Sequence, residues 1–292
     1  MTIVVACLAT AMLMLDISVI NTALSSIAHG LDTGLSGLQW VVDAYTIPLA
    51  ATVLTAGAIA DRLGRRRLFL LGVAIFTASS ALCGAAGGIG VLVGARAIQG
   101  LGASMMFATA LALISQVTPE REDRVKALAA YGAAIGASFA LGPFIGGTLT
   151  DVFGWRAIFL VNVPIGVAVA WITYRWVAEG RDPTPRRIDM PGQITLIGGL
   201  FLLVLALLRG NEDGWGSAGV IAALVGAVVL LIAFVVVEGR SREPMLPLRL
   251  LSERRFAGPQ VAVFAIASSF FAVFLYLTLY LQTVLGLSPG MA

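Results

Sequence analysis

A chain of 292 residues that is 59% hydrophobic and only 12% charged, with a mean hydropathy of +0.94, lacks the polar surface to enclose a water-soluble core. That balance excludes a soluble globular domain and makes the bilayer the solvent. The net charge of +3 and pI near 9.2 exclude nucleic acid as a partner, because the basic residues fall in separate short breaks rather than on one continuous face.

Runs of about twenty mostly apolar residues, the length that crosses roughly 30 Å of hydrocarbon, occur at 3–28, 38–60, 68–88, 91–115, 128–150, 157–177, 192–209, 217–237 and 258–283. All nine are expected to be helices, since a lipid-exposed backbone has to satisfy its own hydrogen bonds and no barrel-like alternation is present. The first run follows Met1, Thr2 and Ile3 directly. It has no basic leader, is too long for a signal peptide and is interrupted by Asp16, so it reads as a span. So bare a start is expected of a clipped N-terminus or a misassigned start codon.

A carboxylate or guanidinium at membrane depth is costly unless it faces a cavity or a partner, which makes Asp16 in the first run and Arg96 in the fourth functional candidates. Each has a plainer reading. Asp16 would lie near enough to the interface to be hydrated, and Arg96 would simply bond the carbonyls of neighbouring helices. Asp43, in Trp40-Val41-Val42-Asp43-Ala44-Tyr45, is either a second proton-site candidate or an ordinary interfacial aspartate. Tyr45, Met105, Met106, Phe107 and Asn162 are candidates for lining a cavity, with lipid-facing packing the alternative. Trp40, Trp155, Trp176 and Trp215, at span ends or in adjoining loops, read as headgroup anchors.

His29, beside Gly30, reads as a solvated helix-end residue, and Cys7 and Cys83 as small buried hydrophobes. This inventory offers no metal site and no nucleophile paired with a base, so an enzyme is not expected.

Between the second and third runs lies Gly57-Ala58-Ile59-Ala60-Asp61-Arg62-Leu63-Gly64-Arg65-Arg66-Arg67. Gly57 and Gly64 are expected to allow a tight turn and close helix approach, and Asp61 to cap the next helix or pair across the loop. The arginines would anchor to anionic lipid and to carboxylates. In the fifth run Gly132, Gly136, Gly142, Pro143, Gly146 and Gly147 favour close packing and a kink.

Sidedness follows from where the nineteen Lys and Arg residues fall. The breaks after even-numbered runs hold sixteen: Arg62, Arg65, Arg66 and Arg67; Arg121, Arg124 and Lys126; Arg175, Arg181, Arg186 and Arg187; Arg240, Arg242, Arg249, Arg254 and Arg255. The odd breaks hold only Arg156 and Arg209. The even breaks and the N-terminus are therefore expected in the cytoplasm and, after nine spans, the C-terminus outside.

The Gly57–Arg67 segment resembles the signature loop of the major facilitator superfamily. Leu15-Asp16-Ile17-Ser18-Val19-Ile20-Asn21-Thr22-Ala23-Leu24 is similar to the first-span motif of its 14-span drug:proton antiporter branch, with Ser25 where that branch usually has Pro, which implies a softer break in the first helix. Arg96-Ala97-Ile98-Gln99-Gly100-Leu101-Gly102 resembles the fourth-span motif, whose arginine is assigned to proton transfer. Gly136 through Gly147 resembles the fifth-span antiporter motif, read as a hinge.

The resemblance implies an all-α membrane protein: a six-helix bundle over 1–178 built from two inverted three-helix repeats, a cytoplasmic linker at 179–191, two additional helices over 192–237, a second linker at 238–257, and the first helix of a second bundle over 258–292. Within the second linker, the segment Leu246 to Phe256 alternates apolar and basic residues and is expected to lie flat on the inner leaflet. About five spans of the 14-span layout are absent from the sequence, so a missing C-terminal half or self-association is implied.

The function implied is proton-coupled export of hydrophobic or cationic small molecules across a bacterial inner membrane. Protons, the small-molecule substrate and membrane lipids would be its partners, and a proton gradient rather than a cofactor would supply the energy. Asp16 and Asp43 would exchange protons with substrate, Arg96 would govern their protonation, and Gly57, Asp61, Arg62, Gly64 and Arg65 would latch one conformation. A metabolite or amino-acid exporter on the same scaffold, or a truncated chain that does not transport, are the alternatives.

Overall fold

The computed structural model describes residues 1–180, 189–241 and 249–283. Helices follow the apolar runs: α1 (Thr2–Leu31), α2 (Leu35–Leu63), α3 (Arg65–Gly84), α4 (Ile89–Val117) and α5 (Arg121–Phe153). The sixth run holds α6 (Ala157–Leu160) and α7 (Asn162–Trp176), followed by α8 (Met190–Asp213), α9 (Ala218–Arg240), α10 (Arg249–Ser252) and α11 (Arg254–Thr283). Eight stretches, with α6 and α7 taken together, are long and apolar enough to cross a membrane by length and composition. The ninth run lies in α11, which is 30 residues long. Among the described residues there is no strand.

Two boundaries depart from expectation for local reasons. The fifth helix begins at Arg121 rather than at 128, because Glu122 and Asp123 in its first turn suit the positive end of the helix dipole. Hydropathy marks the depth of the bilayer, not the end of the helix. The sixth span breaks at Val161, where Pro164 lacks the amide that would donate to the carbonyl of Leu160. Helix α1 continues without interruption through Ser25. Of the expected linkers, 181–188 and 242–248 lie outside the described residues, as does the chain beyond 283.

The six-span bundle is knitted by a reciprocal pairing in which α1 packs along α5 while α4 packs along α2, and α4 also lies along α3. Two apolar clusters fill it. One is built on Val5, Leu13, Phe69, Phe76, Met106 and Val169, the other on Ile20, Ile27, Val41, Leu92, Trp155 and Phe159. Asp16 of α1, Ser80 of α3, Arg96 and Gln99 of α4 and Asn162 of α7 fall in the stratum between them.

Trp155 is therefore not the headgroup anchor expected of it. It is 5% exposed, edge-on to Phe159, because Gly154 at φ 79° turns the chain back onto the bundle. The additional helices α8 and α9 form a hairpin whose α8 leans on α2. There Gln193 Nε2 donates to the Ala51 carbonyl at 2.6 Å.

The α1–α5 contact explains part of the glycine run. A side chain at Gly142 would collide with Ser18, and one at Gly146 would meet the Cα of Val19 at 3.0 Å. Pro143 cannot donate to Phe139, and the Ser18 hydroxyl donates to that carbonyl instead, at 3.4 Å. Gly136, expected to share this packing, faces open space. Gly142→Ala and Gly146→Ala should each cost about 1–3 kcal/mol through overpacking, whereas Gly136→Ala should lose nothing and gain roughly 0.5–1 kcal/mol of helix propensity. Thermal unfolding of the detergent-purified protein distinguishes the two groups.

Candidate functional site: a buried ion pair between two apolar clusters

Asp16 from α1 and Arg96 from α4 are 5% and 1% exposed, a depth at which neither charge is tolerated alone. They are each other's partner. Arg96 Nη1 donates to Asp16 Oδ2 at 2.5 Å. The other carboxylate oxygen, Oδ1, accepts from Gln99 Nε2 at 3.1 Å and from Asn162 Nδ2 at 2.9 Å. Arg96 Nη1 also donates to Gln99 Oε1 at 2.9 Å, and its Nε donates to the Val41 carbonyl at 3.1 Å. Its guanidinium stands over the Tyr45 ring, 4.2 Å from the ring centre, so an aromatic face covers it. Arg96 thus binds a backbone carbonyl and a carboxylate together.

The network continues into the kinked sixth span. Asn162 Nδ2 donates to Ser80 Oγ at 3.1 Å, and the Ser80 hydroxyl donates to the Phe159 carbonyl at 2.9 Å. Helices α1, α3, α4, α6 and α7 therefore meet in one connected set of polar groups. Asp43 does not join it. That residue is half-buried on α2, and its carboxylate forms no hydrogen bond or ion pair with a described residue.

The basic loop between α2 and α3 forms a second assembly. Asp61 pairs with Arg65 at 3.1 Å, one turn on, and so does not cap α3. The Arg66 amide at the start of α3 donates instead to Glu179 Oε1 at 3.0 Å, and the Arg65 amide donates to the Gly180 carbonyl at 2.9 Å. Glu179 also approaches Arg67 at 3.6 Å. Gly64, at φ 111°, has the conformation only glycine adopts freely, and a side chain there would meet the Glu179 carboxylate at 2.5 Å. Gly57, by contrast, has nothing within 4 Å of where its side chain would be, so the close approach expected of it does not occur. Arg62 lies exposed beside this assembly. Arg65 Nη1 extends the assembly to α4, donating to the Ala112 carbonyl at 3.3 Å.

Sequence reasoning did not single out Gln99, Ser80, Ser18 or Glu179. Their one signal was polarity out of place: three lie in apolar runs, and Glu179 is an acid opening a basic linker.

The family model for the Major Facilitator Superfamily matches residues 6–292. The chain belongs to that superfamily. It is 39% identical over 282 residues to the multidrug resistance protein Stp of Mycobacterium tuberculosis, covering 96% of this chain and 52% of that one. To the drug efflux pump JefA of the same species it is 37% identical over 279 residues, 95% of this chain and 55% of the other. With the cephamycin export protein CmcT of Amycolatopsis lactamdurans it shares 38% identity over 293 residues, 99% and 60% of the two. This superfamily chain thus spans about half the length of the first two relatives.

Among solved structures, a peptide transporter POT in complex with sulfate aligns over 82% of this chain and 53% of its own, at TM-score 0.61 and 18% identity. A bacterial homologue of the lysosomal transporter Spinster, in an inward-facing occupied conformation, aligns over 84% and 62% at TM-score 0.53 and 19% identity. At those identities the likeness is one of fold.

Removing one member of a buried pair strands the other, at a cost of about 3–5 kcal/mol. Asp16→Asn and Arg96→Gln should each lower the unfolding temperature of the purified protein strongly, and the double variant should lose clearly less than the two losses added. Additive losses would mean that the charges do not interact.

Proposed function

We propose that this chain supplies the N-terminal half of a proton-coupled exporter of hydrophobic or cationic small molecules. It would sit in a bacterial inner membrane with its N-terminus in the cytoplasm. The observation that carries the proposal is the Asp16–Arg96 pair, buried midway between two apolar clusters and saturated on the carboxylate side by three donors. A proton arriving on Asp16 cancels the attraction that holds Arg96, so the free energy of proton binding is available to favour a different packing of α1 against α4. A cationic substrate acts on the same balance from the opposite direction, by competing with Arg96 for the carboxylate. The names of the relatives, a multidrug resistance protein, a drug efflux pump and a cephamycin exporter, support export as the direction of transport.

Alternating access rocks one bundle against another around a shared midplane site. The described residues build one bundle, and the relatives are nearly twice as long. The exporting unit on this proposal therefore includes a second bundle, in the same polypeptide or as a separate chain. The Asp61–Arg65–Glu179 assembly, which ties α2, α3 and α4 to the end of α7, would hold the first bundle rigid at its basic end while it rocks. Asp43, standing apart from the pair, would be a second place for a proton.

In everted membrane vesicles containing the whole transporter, Asp16→Asn should abolish substrate efflux driven by a proton gradient while leaving membrane insertion intact. The amide is close to the carboxylate in size, keeps one accepting oxygen and cannot titrate. Unchanged efflux that still depends on the gradient would remove Asp16 from the coupling mechanism.

A further inference from the structure

Among the described residues that hydrogen-bond Asp16, Asn162 is the one that can serve it in both protonation states. An ionised carboxylate only accepts hydrogen bonds, whereas a protonated one has an O–H to donate and needs an acceptor. Arg96 has donors alone. Gln99 has an acceptor, but its Oε1 already receives Arg96 Nη1 at 2.9 Å and lies 3.7 Å from Cys83 Sγ. Turning that amide over would set its NH₂ against the guanidinium. The amide of Asn162 meets no cation, and its Nδ2 is shared between Asp16 Oδ1 at 2.9 Å and Ser80 Oγ at 3.1 Å.

Half a turn of that amide places Oδ1 where Nδ2 stood. The oxygen then accepts the new O–H of Asp16 and, on its second lone pair, the hydroxyl hydrogen of Ser80. To reach it the Ser80 hydroxyl leaves the Phe159 carbonyl, to which it donates at 2.9 Å. Phe159 lies in α6, two residues before the break at Val161, in a span already interrupted by Pro164. A proton gained on α1 is thereby registered as a lost hydrogen bond between α3 and α6, with no covalent change beyond protonation of Asp16.

The other titratable and charged groups around this path are few. Facing Asp16 are Arg96 from α4, with Tyr45 of α2 beneath its guanidinium, and Cys83 of α3 behind Gln99. Helix α5 meets the next turn of α1 with Gly142, and α6 and α7 present Phe159 and Asn162. Asp43, also on α2, makes no bond to the pair.

We propose that Asn162 is a positioning residue that reads the proton on Asp16 by reversing its amide, with Ser80 relaying the reversal to the α6–α7 break. This rests on the proposed role of Asp16 in coupling, but its test does not require transport. Infrared difference spectra of the purified protein in lipid, taken between high and low pH, should contain the carboxyl band of protonated Asp16, identified by its loss in Asp16→Asn. They should also contain a side-chain amide change that is lost both in Asp16→Asn and in Asn162→Leu. Asn162→Gln, which keeps an amide, should retain part of it. Ser80→Ala should keep the amide change and, with a carbonyl isotope label at Phe159, lose the accompanying backbone shift.

An amide change that survives in Asp16→Asn, or in a folded Asn162→Leu, would overturn the proposal. The Asp16→Asn comparison decides the matter alone if leucine unfolds the bundle. An amide change that follows Asp16 in a protein whose efflux ignores Asp16→Asn would support the switch while removing the coupling role.

Discussion

A single unpaired charge between the two apolar clusters would cost several kcal/mol, a large fraction of the stability of any domain, and much of the bundle is arranged so that no such charge arises. Asp16 and Arg96 pair directly, Gln99 bridges them, Asn162 closes the remaining side of the carboxylate, and the Tyr45 ring covers the guanidinium. These groups come from four different spans, so the pair can form only when α1, α2, α4 and α7 are correctly packed. The ion pair and the helix packing therefore specify each other.

That packing depends on small residues at defined heights. Gly142 and Gly146 let α5 approach α1 just past Asp16, and Gly100 lets α4 approach the backbone of α2 at Tyr45, just past Arg96. Both glycine-bearing helices belong to the second three-span half of the bundle, and they meet the first half beside the two members of the pair. From Arg96 the rigid rod of α4 runs 16 residues, about 24 Å, to Ala112, where Arg65 of the basic loop is attached. One continuous helix thus touches both the ion pair and that loop.

The spans were legible because hydropathy at this density has one physical solution, and the charged residues within them were legible because a charge in hydrocarbon has few excuses. Which charged residues would meet was harder to read. Asp16 and Asp43 look alike in sequence, yet only Asp16 faces Arg96, since that outcome is set by how α1 and α2 rotate about their axes against α4. Gln99 was not singled out, and Asn162 was expected only as a candidate for lining a cavity, for a related reason: a neutral amide in a span carries no large penalty and so no strong signal. Gly57 and Gly136 belong to recognisable motifs but face open space here, whereas Gly64 is required by its backbone angle and by Glu179, a residue more than a hundred positions away. Trp155 was misplaced because its position at a span end suggested the headgroup zone, while the turn at Gly154 sends it inward.

The central claim is that Asp16 and Arg96 form a direct ion pair inside the membrane-embedded bundle. Solid-state NMR of the protein in lipid bilayers, with the carboxyl carbon of aspartate and the guanidinium nitrogens of arginine isotopically labelled, measures that contact without reference to activity. The prediction is strong dipolar dephasing that corresponds to an N–O approach within ~4 Å, of which the share due to Asp16 is lost in both Asp16→Asn and Arg96→Gln while the share from the Asp61–Arg65 pair remains. Dephasing that is absent in the native protein, or that persists unchanged in either variant, would contradict it.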